Sequence, residues 1–131
     1  MPYELTFTKR VPIADRARYI NECCVGGDVI VDRLLPAVKR RYADVRTDQE
    51  DWGWFIWFRG AESRLAIDVF TDDPEAGTFR MHLTSRVRRL LFFTAIADTR
   101  ELDELRDLVE SELSGWTDGP LQIAQLDGRY M

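Results

Sequence analysis

The side chains best suited to acid–base chemistry are Asp68 and His82, the one histidine of the chain. A carboxylate can orient an imidazole, which then takes up a proton near neutral pH. No obvious nucleophile lies beside this pair: Thr84 is the nearest hydroxyl residue, and no GxSxG motif occurs. Opposite charges across two strands also stabilise a sheet without any catalytic role. We therefore favour a structural pair over a catalytic dyad.

A second group of candidate residues is aromatic. Phe55, Trp57 and Phe70 fall on the side of the predicted sheet that faces away from the helices. A soluble monomer rarely exposes a large apolar patch, so something is expected to cover these rings. The C-terminal segment 121–131, a second copy of the chain, another protein or a ligand could each do so.

The third group is basic. Arg64, Arg80 and Arg86 occupy the same predicted face, and guanidinium groups bind carboxylates and phosphates through paired hydrogen bonds. Gly53 has no side chain, so the strand pairing below predicts a gap there beside the aspartate and the histidine. A concave site with aromatic walls and a few polar groups is typical of small-molecule binding.

The strands that position these residues are predicted from their turns. Gly60-Ala61 suits a two-residue hairpin turn. That turn places Trp57 opposite Arg64. It also places Gly53 opposite Asp68, which is the origin of the predicted gap.

A second hairpin turn is predicted over 71–77, where Asp, Pro and Gly interrupt the apolar pattern. It places Asp68 opposite His82 and Ile67 opposite Leu83. Both hairpins send their apolar side chains to one face, and a slip of one residue would reverse each set. This agreement supports the predicted pairing.

The rest of the chain fills in the expected architecture. Strands are predicted over 3–9 (an edge strand), 52–59, 62–71, 78–88 and 121–126, and helices over 14–24, 29–41 and 98–115. Two further segments, 43–48 and 90–97, are strand candidates. Segment 90–97 is also compatible with a helix, and Pro36 predicts a kink or an early stop in the second helix. The pattern predicts one α+β domain over 1–131, a two-layer fold with a mainly antiparallel sheet of about five to six strands and helices packed on one face.

Composition limits the possible functions. An apolar content of 45% and a charged content of 31% are typical of a globular domain. The net charge of −5 disfavours nucleic acid and anionic membranes, so the basic clusters at 39–41 and 86–89 are interpreted as solvated ends of elements. No apolar run is long enough to cross a bilayer, and no signal-peptide pattern opens the chain.

The cysteines and histidine argue against a metal or other cofactor. Cys23 and Cys24 are adjacent, which disfavours a disulfide between them, and we expect reduced thiols in a cytoplasmic protein. One histidine and no CxxC pair leave no zinc pattern. We expect neither a metal nor a cofactor.

Two functional hypotheses follow. The first is a non-enzymatic cytoplasmic module that binds itself or a protein partner through the Phe55–Trp57–Phe70 face. The alternative is a binding pocket over Gly53 for a small anionic ligand, or a small acid–base enzyme with its active site there. In either case Asp68 and His82 would be the functional pair, and Arg80 would bind the anion. Binding of nucleic acid is the least favoured hypothesis because of the net negative charge, and we do not expect binding to a membrane.

Overall fold

A computed structural model describes residues 1–13, 15–88 and 94–126 of the chain. In these residues, one β-sheet packs against two α-helices. In these ranges the strands are β1 (Tyr3–Thr8), β2 (Ala43–Glu50), β3 (Gly53–Arg59), β4 (Arg64–Asp73), β5 (Thr78–Arg88), β6 (Thr94–Ile96) and β7 (Gln122–Gln125), and the α-helices are α1 (Gly27–Arg41) and α2 (Arg100–Leu113). This is the predicted α+β architecture.

The sheet is antiparallel at every described strand pair. Its strand order is β2-β3-β4-β5-β1-β7, and the short β6 pairs with the end of β5. The prediction that residues 3–9 form an edge strand is wrong, since β1 lies between β5 and β7. β6 agrees with a strand in the 90–97 segment, of which residues 90–93 lie outside the described part.

The hydrophobic core lies between one face of the sheet and the two helices. α2 carries an apolar stripe at helical spacing, and its members Leu102, Leu105, Val109 and Leu113 are each at most 1% exposed. α1 contributes Ile30, Val31, Leu34 and Val38. Pro36 does not stop α1, which continues to Arg41.

In place of the helix predicted over 14–24, the described residues of this segment, 15–24, form two single turns of 3-10 helix, Arg16–Arg18 and Glu22–Cys24. The side chain of Asp15 accepts a hydrogen bond from the amide of Ala17, and Asn21 does the same for Cys23. Short polar side chains that bond nearby amides compete with a continuous helix, which explains the difference.

The pairing of β4 with β5 matches the predicted register. Asp68 lies opposite His82, and Ile67 lies opposite Leu83. The pairing of β3 with β4 differs from the prediction by two residues, so that Trp57 faces Ala66 instead of Arg64. A shift of two residues keeps every side chain on its predicted face but changes its neighbours across the strands.

A four-residue loop, 60–63, causes this shift. The amide of Gly60 donates to the carbonyl of Ser63 at 2.9 Å, which closes the loop. The Glu101 carboxylate, in the first turn of α2, accepts hydrogen bonds from the amides of Ala61 and Glu62 and from the Ser63 hydroxyl. A Cβ at Gly60 would lie 2.3 Å from Glu101 Oε2, so glycine makes room for this carboxylate. A contact from α2 therefore selects the longer loop.

Candidate ligand-binding groove

A groove of about 520 Å³ lies on the face of the sheet opposite the helices, which we call the outer face. Its floor is the cross-strand row Trp57–Ala66–Thr84. Ala66 and Thr84 are small, so they leave a hollow beside the indole. The volume falls in the range of small-molecule sites, about 300–1,000 Å³.

Arginines line one end of this groove. Arg59, Arg64 and Arg86 stand directly opposite one another on β3, β4 and β5, and Arg46 joins them from β2. We call this set, with the hollow it borders, the arginine groove. Like charges placed directly across strands are destabilising, so the row costs folding free energy.

One of these charges is neutralised within the protein. Arg59 pairs with Asp44 at 2.7 Å. Within the described part of the chain, neither Arg64 nor Arg86 has a carboxylate at ion-pair distance. The two guanidinium groups are exposed and are available to an external anion.

The indole of Trp57 is held in place on the groove floor. Phe55 stacks on one of its faces at a centroid distance of 4.0 Å, and its Nε1 donates to Asp68 Oδ1 at 3.1 Å. Phe55 itself is buried, whereas Trp57 is 37% exposed. The Arg46 guanidinium lies 6.0 Å from the Trp57 ring centroid, at the outer limit of a cation–π contact. The accessible part of the indole is therefore presented in a fixed orientation.

Asp68 lines the groove and is half-buried. Burial raises the pKa of its carboxyl above the ordinary value, and the Trp57 hydrogen bond and the nearby His82 and Arg86 only partly oppose that effect. A carboxylate near a guanidinium group such as that of Arg86 would ordinarily have a lowered pKa. The raised pKa shows that desolvation dominates at this position.

His82 is embedded in the sheet, 3% exposed. Its Nε2 lies 2.9 Å from Glu4 Oε2 on β1, and its ring meets Phe70 edge to face at 5.0 Å. The pairing opposite Asp68 is as predicted, but His82 does not line the arginine groove. The geometry thus gives the imidazole a structural environment with little access for a substrate.

The predicted gap over Gly53 is absent. Gly53 has a φ of +153°, and a Cβ there would lie 2.1 Å from the carbonyl oxygen of Val69. Glycine is needed because the β4 backbone approaches closely, and the prediction of a pocket at this residue is wrong. The register shift places the hollow at Ala66 and Thr84 instead.

Phe70 and Arg80 lie away from the groove. The Arg80 guanidinium lies 4.6 Å from the Phe70 ring centroid and pairs with Asp72 at 3.4 Å. Trp52 packs on the same phenyl ring at 5.3 Å. Arg80 therefore belongs to a local cluster with Phe70, Asp72 and Trp52, and it is not positioned to bind an anion in the groove.

Of the predicted site residues, Trp57, Arg64, Asp68 and Arg86 therefore come together, with Phe55 beneath the indole. Sequence reasoning missed Arg46 and Arg59 as members of the site. Arg59 could have been found, because it follows Trp57 by two residues and so shares its face. Arg46 lies on β2, whose pairing the sequence left uncertain.

Comparisons with protein-family models, with curated proteins and with solved structures found no match to this chain. In the described residues, no helix is long and apolar enough to span a membrane. The same residues contain no cluster of three His, Cys, Asp or Glu side chains that could hold a metal ion.

Proposed function

We propose that this protein binds a small anionic ligand in the arginine groove. The observation that carries the proposal is the arginine row, in which Arg64 stands between Arg59 and Arg86 across adjacent strands. An anion placed over the row would replace two repulsive cross-strand contacts with charge-assisted hydrogen bonds. The cost of the row in the unliganded fold would then be offset on binding.

The distribution of charge on the outer face supports the same site. Arg59, Arg64 and Arg86 gather at the end near the 60–63 loop, with Asp44 as their one ion-pair partner among the described residues. Toward the other end of the strands, Asp48, Glu50 and Asp72 outnumber Arg80. The net charge of −5 makes a local basic groove stand out from the rest of the chain. A small anion can respond to such a local field even where a long polyanion would be repelled.

Binding without catalysis is the simpler form of this proposal. Burial raises the pKa of the Asp68 carboxyl. Among the described residues that line the groove, none is a Ser, Cys or Lys, and Thr84 supplies the one aliphatic hydroxyl. His82 is buried against Glu4. We therefore propose a binding module in a cytoplasmic, reducing setting, consistent with the free thiols Cys23 and Cys24.

Association with a protein partner or with a second copy of the chain stays a prediction, and it has less support than binding of an anion. Phe55 is 6% exposed, and Phe70 is packed between Trp52 and Arg80. The exposed aromatic surface of this face is therefore mainly that of Trp57, whereas specific interfaces bury about 800 Å² on each partner. The mass of the wild type and of Trp57→Ala in solution, measured by light scattering, checks this prediction.

The anion proposal is tested by thermal unfolding with increasing inorganic pyrophosphate or ribose 5-phosphate at constant ionic strength. A ligand that binds only the folded state stabilises it by about 2.7 kcal/mol at 100 times its Kd. We expect a saturating rise of Tm in the wild type. The rise should be lost in the double variant Arg64→Gln/Arg86→Gln.

Arg80→Gln is the matched control, because Arg80 shares the outer face but contacts Phe70 and Asp72. It should retain the ligand-induced rise of Tm. The proposal is overturned if neither anion raises the Tm of the wild type. It is also overturned if the double variant responds as the wild type does.

A further inference from the structure

We infer that the ligand of the arginine groove is a phosphate ester that carries a planar ring, such as a nucleoside 5′-phosphate. This inference rests on the proposed anion-binding function and names its ligand class. The ring would stack on the accessible face of Trp57, and the phosphate would lie on Arg64 and Arg86. Two features of the groove support it independently of each other.

The first feature is the prepared aromatic platform. Phe55 fills one face of the Trp57 indole, and the hydrogen bond to Asp68 fixes its tilt. Only the other face and the edges of the indole remain to line the groove. A ring held in place by its neighbours loses little conformational freedom when it stacks on a ligand.

The Arg46 side chain lies near the Trp57 indole but does not stack tightly on it. Its guanidinium lies 6.0 Å from the indole centroid, well beyond the separation of a tight stack. Arginine side chains also stack on planar rings. A flat ligand that stacks on Trp57 would displace the exposed Arg46 side chain slightly outward, and the guanidinium could then stack on the ligand.

The second feature is an excess of positive charge at the end of the groove. A smaller hollow of about 190 Å³ is bordered by the same three arginines of the row and by Arg88, with Glu62 as the one acidic residue among its described lining residues. Only Arg59 of these four has an ion-pair partner among the described residues. A carboxylate carries one negative charge, whereas a phosphate monoester carries about 1.5–2 at pH 7 and three acceptor oxygens. The phosphate matches this site better.

The spacing between the two features suits such a ligand. The arginine row lies two residues along the strands from the Trp57 row. Two residues of a strand span about 7 Å. A pentose can bridge that separation between a base on the indole and a phosphate on the arginines.

The test compares three probes by isothermal titration calorimetry: adenosine 5′-monophosphate, ribose 5-phosphate and adenosine. Stacking of a base on an aromatic side chain contributes a factor of about 5 to 150 in affinity. We expect the nucleotide to bind at least about five-fold more tightly than the sugar phosphate. Trp57→Leu should remove this advantage and leave the sugar phosphate affinity nearly unchanged.

The outcomes separate this inference from the proposed function. If the nucleotide and the sugar phosphate bind equally, and both depend on Arg64 and Arg86, the anion site stands and the ring-bearing ligand is refuted. An advantage of the nucleotide that survives in Trp57→Leu also refutes the inference. If no phosphate probe binds, the proposed function itself fails.

A second measurement covers the case in which Trp57→Leu does not fold. The indole N–H signals of the four tryptophans are recorded by NMR in the wild type, and Trp57→Phe identifies the signal of Trp57 by its loss. The nucleotide should shift that signal through the ring current of the base, and the sugar phosphate should not. A Trp57 signal that the nucleotide leaves in place at saturation contradicts stacking.

Discussion

The arginine row makes a quantitative prediction about stability in the absence of ligand. Arg64→Glu would convert two repulsive cross-strand contacts, to Arg59 and to Arg86, into attractive ones. Opposite-charge pairs across strands contribute roughly 0.2–1 kcal/mol each, and like charges destabilise by a similar mechanism. The Arg59 contact counts for less, because Asp44 already neutralises that charge. We expect Arg64→Glu to raise the free energy of unfolding by about 0.5–1.5 kcal/mol.

The assay is urea unfolding at pH 7 and low ionic strength, followed by tryptophan fluorescence. For a domain of this length the gain corresponds to an increase in Tm of roughly 2–6 °C. In about 1 M NaCl the Debye length falls to about 3 Å, so the difference between variant and wild type should shrink. Arg64→Gln should give about half of the gain, because it removes the repulsion without adding attraction.

The same charge reversal at Arg80 is the control. Arg80→Glu would break the ion pair with Asp72 and the contact with Phe70, so it should lower stability. If Arg64→Glu is no more stable than the wild type at low ionic strength, the row is not repulsive, and the argument that a ligand offsets it is lost. If it is more stable and still binds pyrophosphate, the row is not the anion site.

Two further predictions concern the loop and the β3–β4 pairing. Burial alone would raise the pKa of Glu101, but the hydrogen bonds from Ser63 and the 61–63 amides outweigh it and the pKa is lowered. A lowered carboxyl pKa stabilises the fold above its unfolded value of about 4.3, and this contribution is lost as the pH falls through the lower folded value. Glu101→Gln should therefore lower the free energy of unfolding by roughly 1 kcal/mol at pH 7 and by progressively less below pH 4. Urea unfolding across this pH range measures the difference. A loss that stays constant from pH 7 to 3 would contradict the role of the Glu101 carboxylate in holding the loop. Gly53→Ala should cost about 1–3 kcal/mol because its Cβ meets the Val69 carbonyl. Gly119→Ala is the control: its φ is +151°, but no atom of the described residues lies within 4 Å of the added Cβ, so the loss should be smaller. Equal losses in thermal unfolding would show that the Val69 contact does not matter.

The alternation of apolar residues was sufficient to predict the faces of the central strands. Ile67 and Leu83 face the core, and Asp68 and His82 lie on the outer face, as the sequence indicated. The period of two makes this information local, because each strand carries its own pattern of burial. The stripe on α2 was predictable for the same reason, with a period close to 3.6.

The neighbours across β3 and β4 could not be predicted in this way. Gly60-Ala61 favours a two-residue turn when only local residues are considered. The folded chain uses four residues because Glu101, about forty positions away, satisfies the loop amides. That distant contact moves Trp57 from Arg64 to Ala66 and creates the hollow.

The sequence by itself therefore determined which side chains share the outer face, and the tertiary structure decided which of them meet. Side-chain direction depends on strand periodicity, which each segment contains. Register depends on loop length, and here the loop is stabilised by a carboxylate from another element. Only the folded chain could therefore place Arg59, Arg64 and Arg86 in one row beside the Trp57 indole.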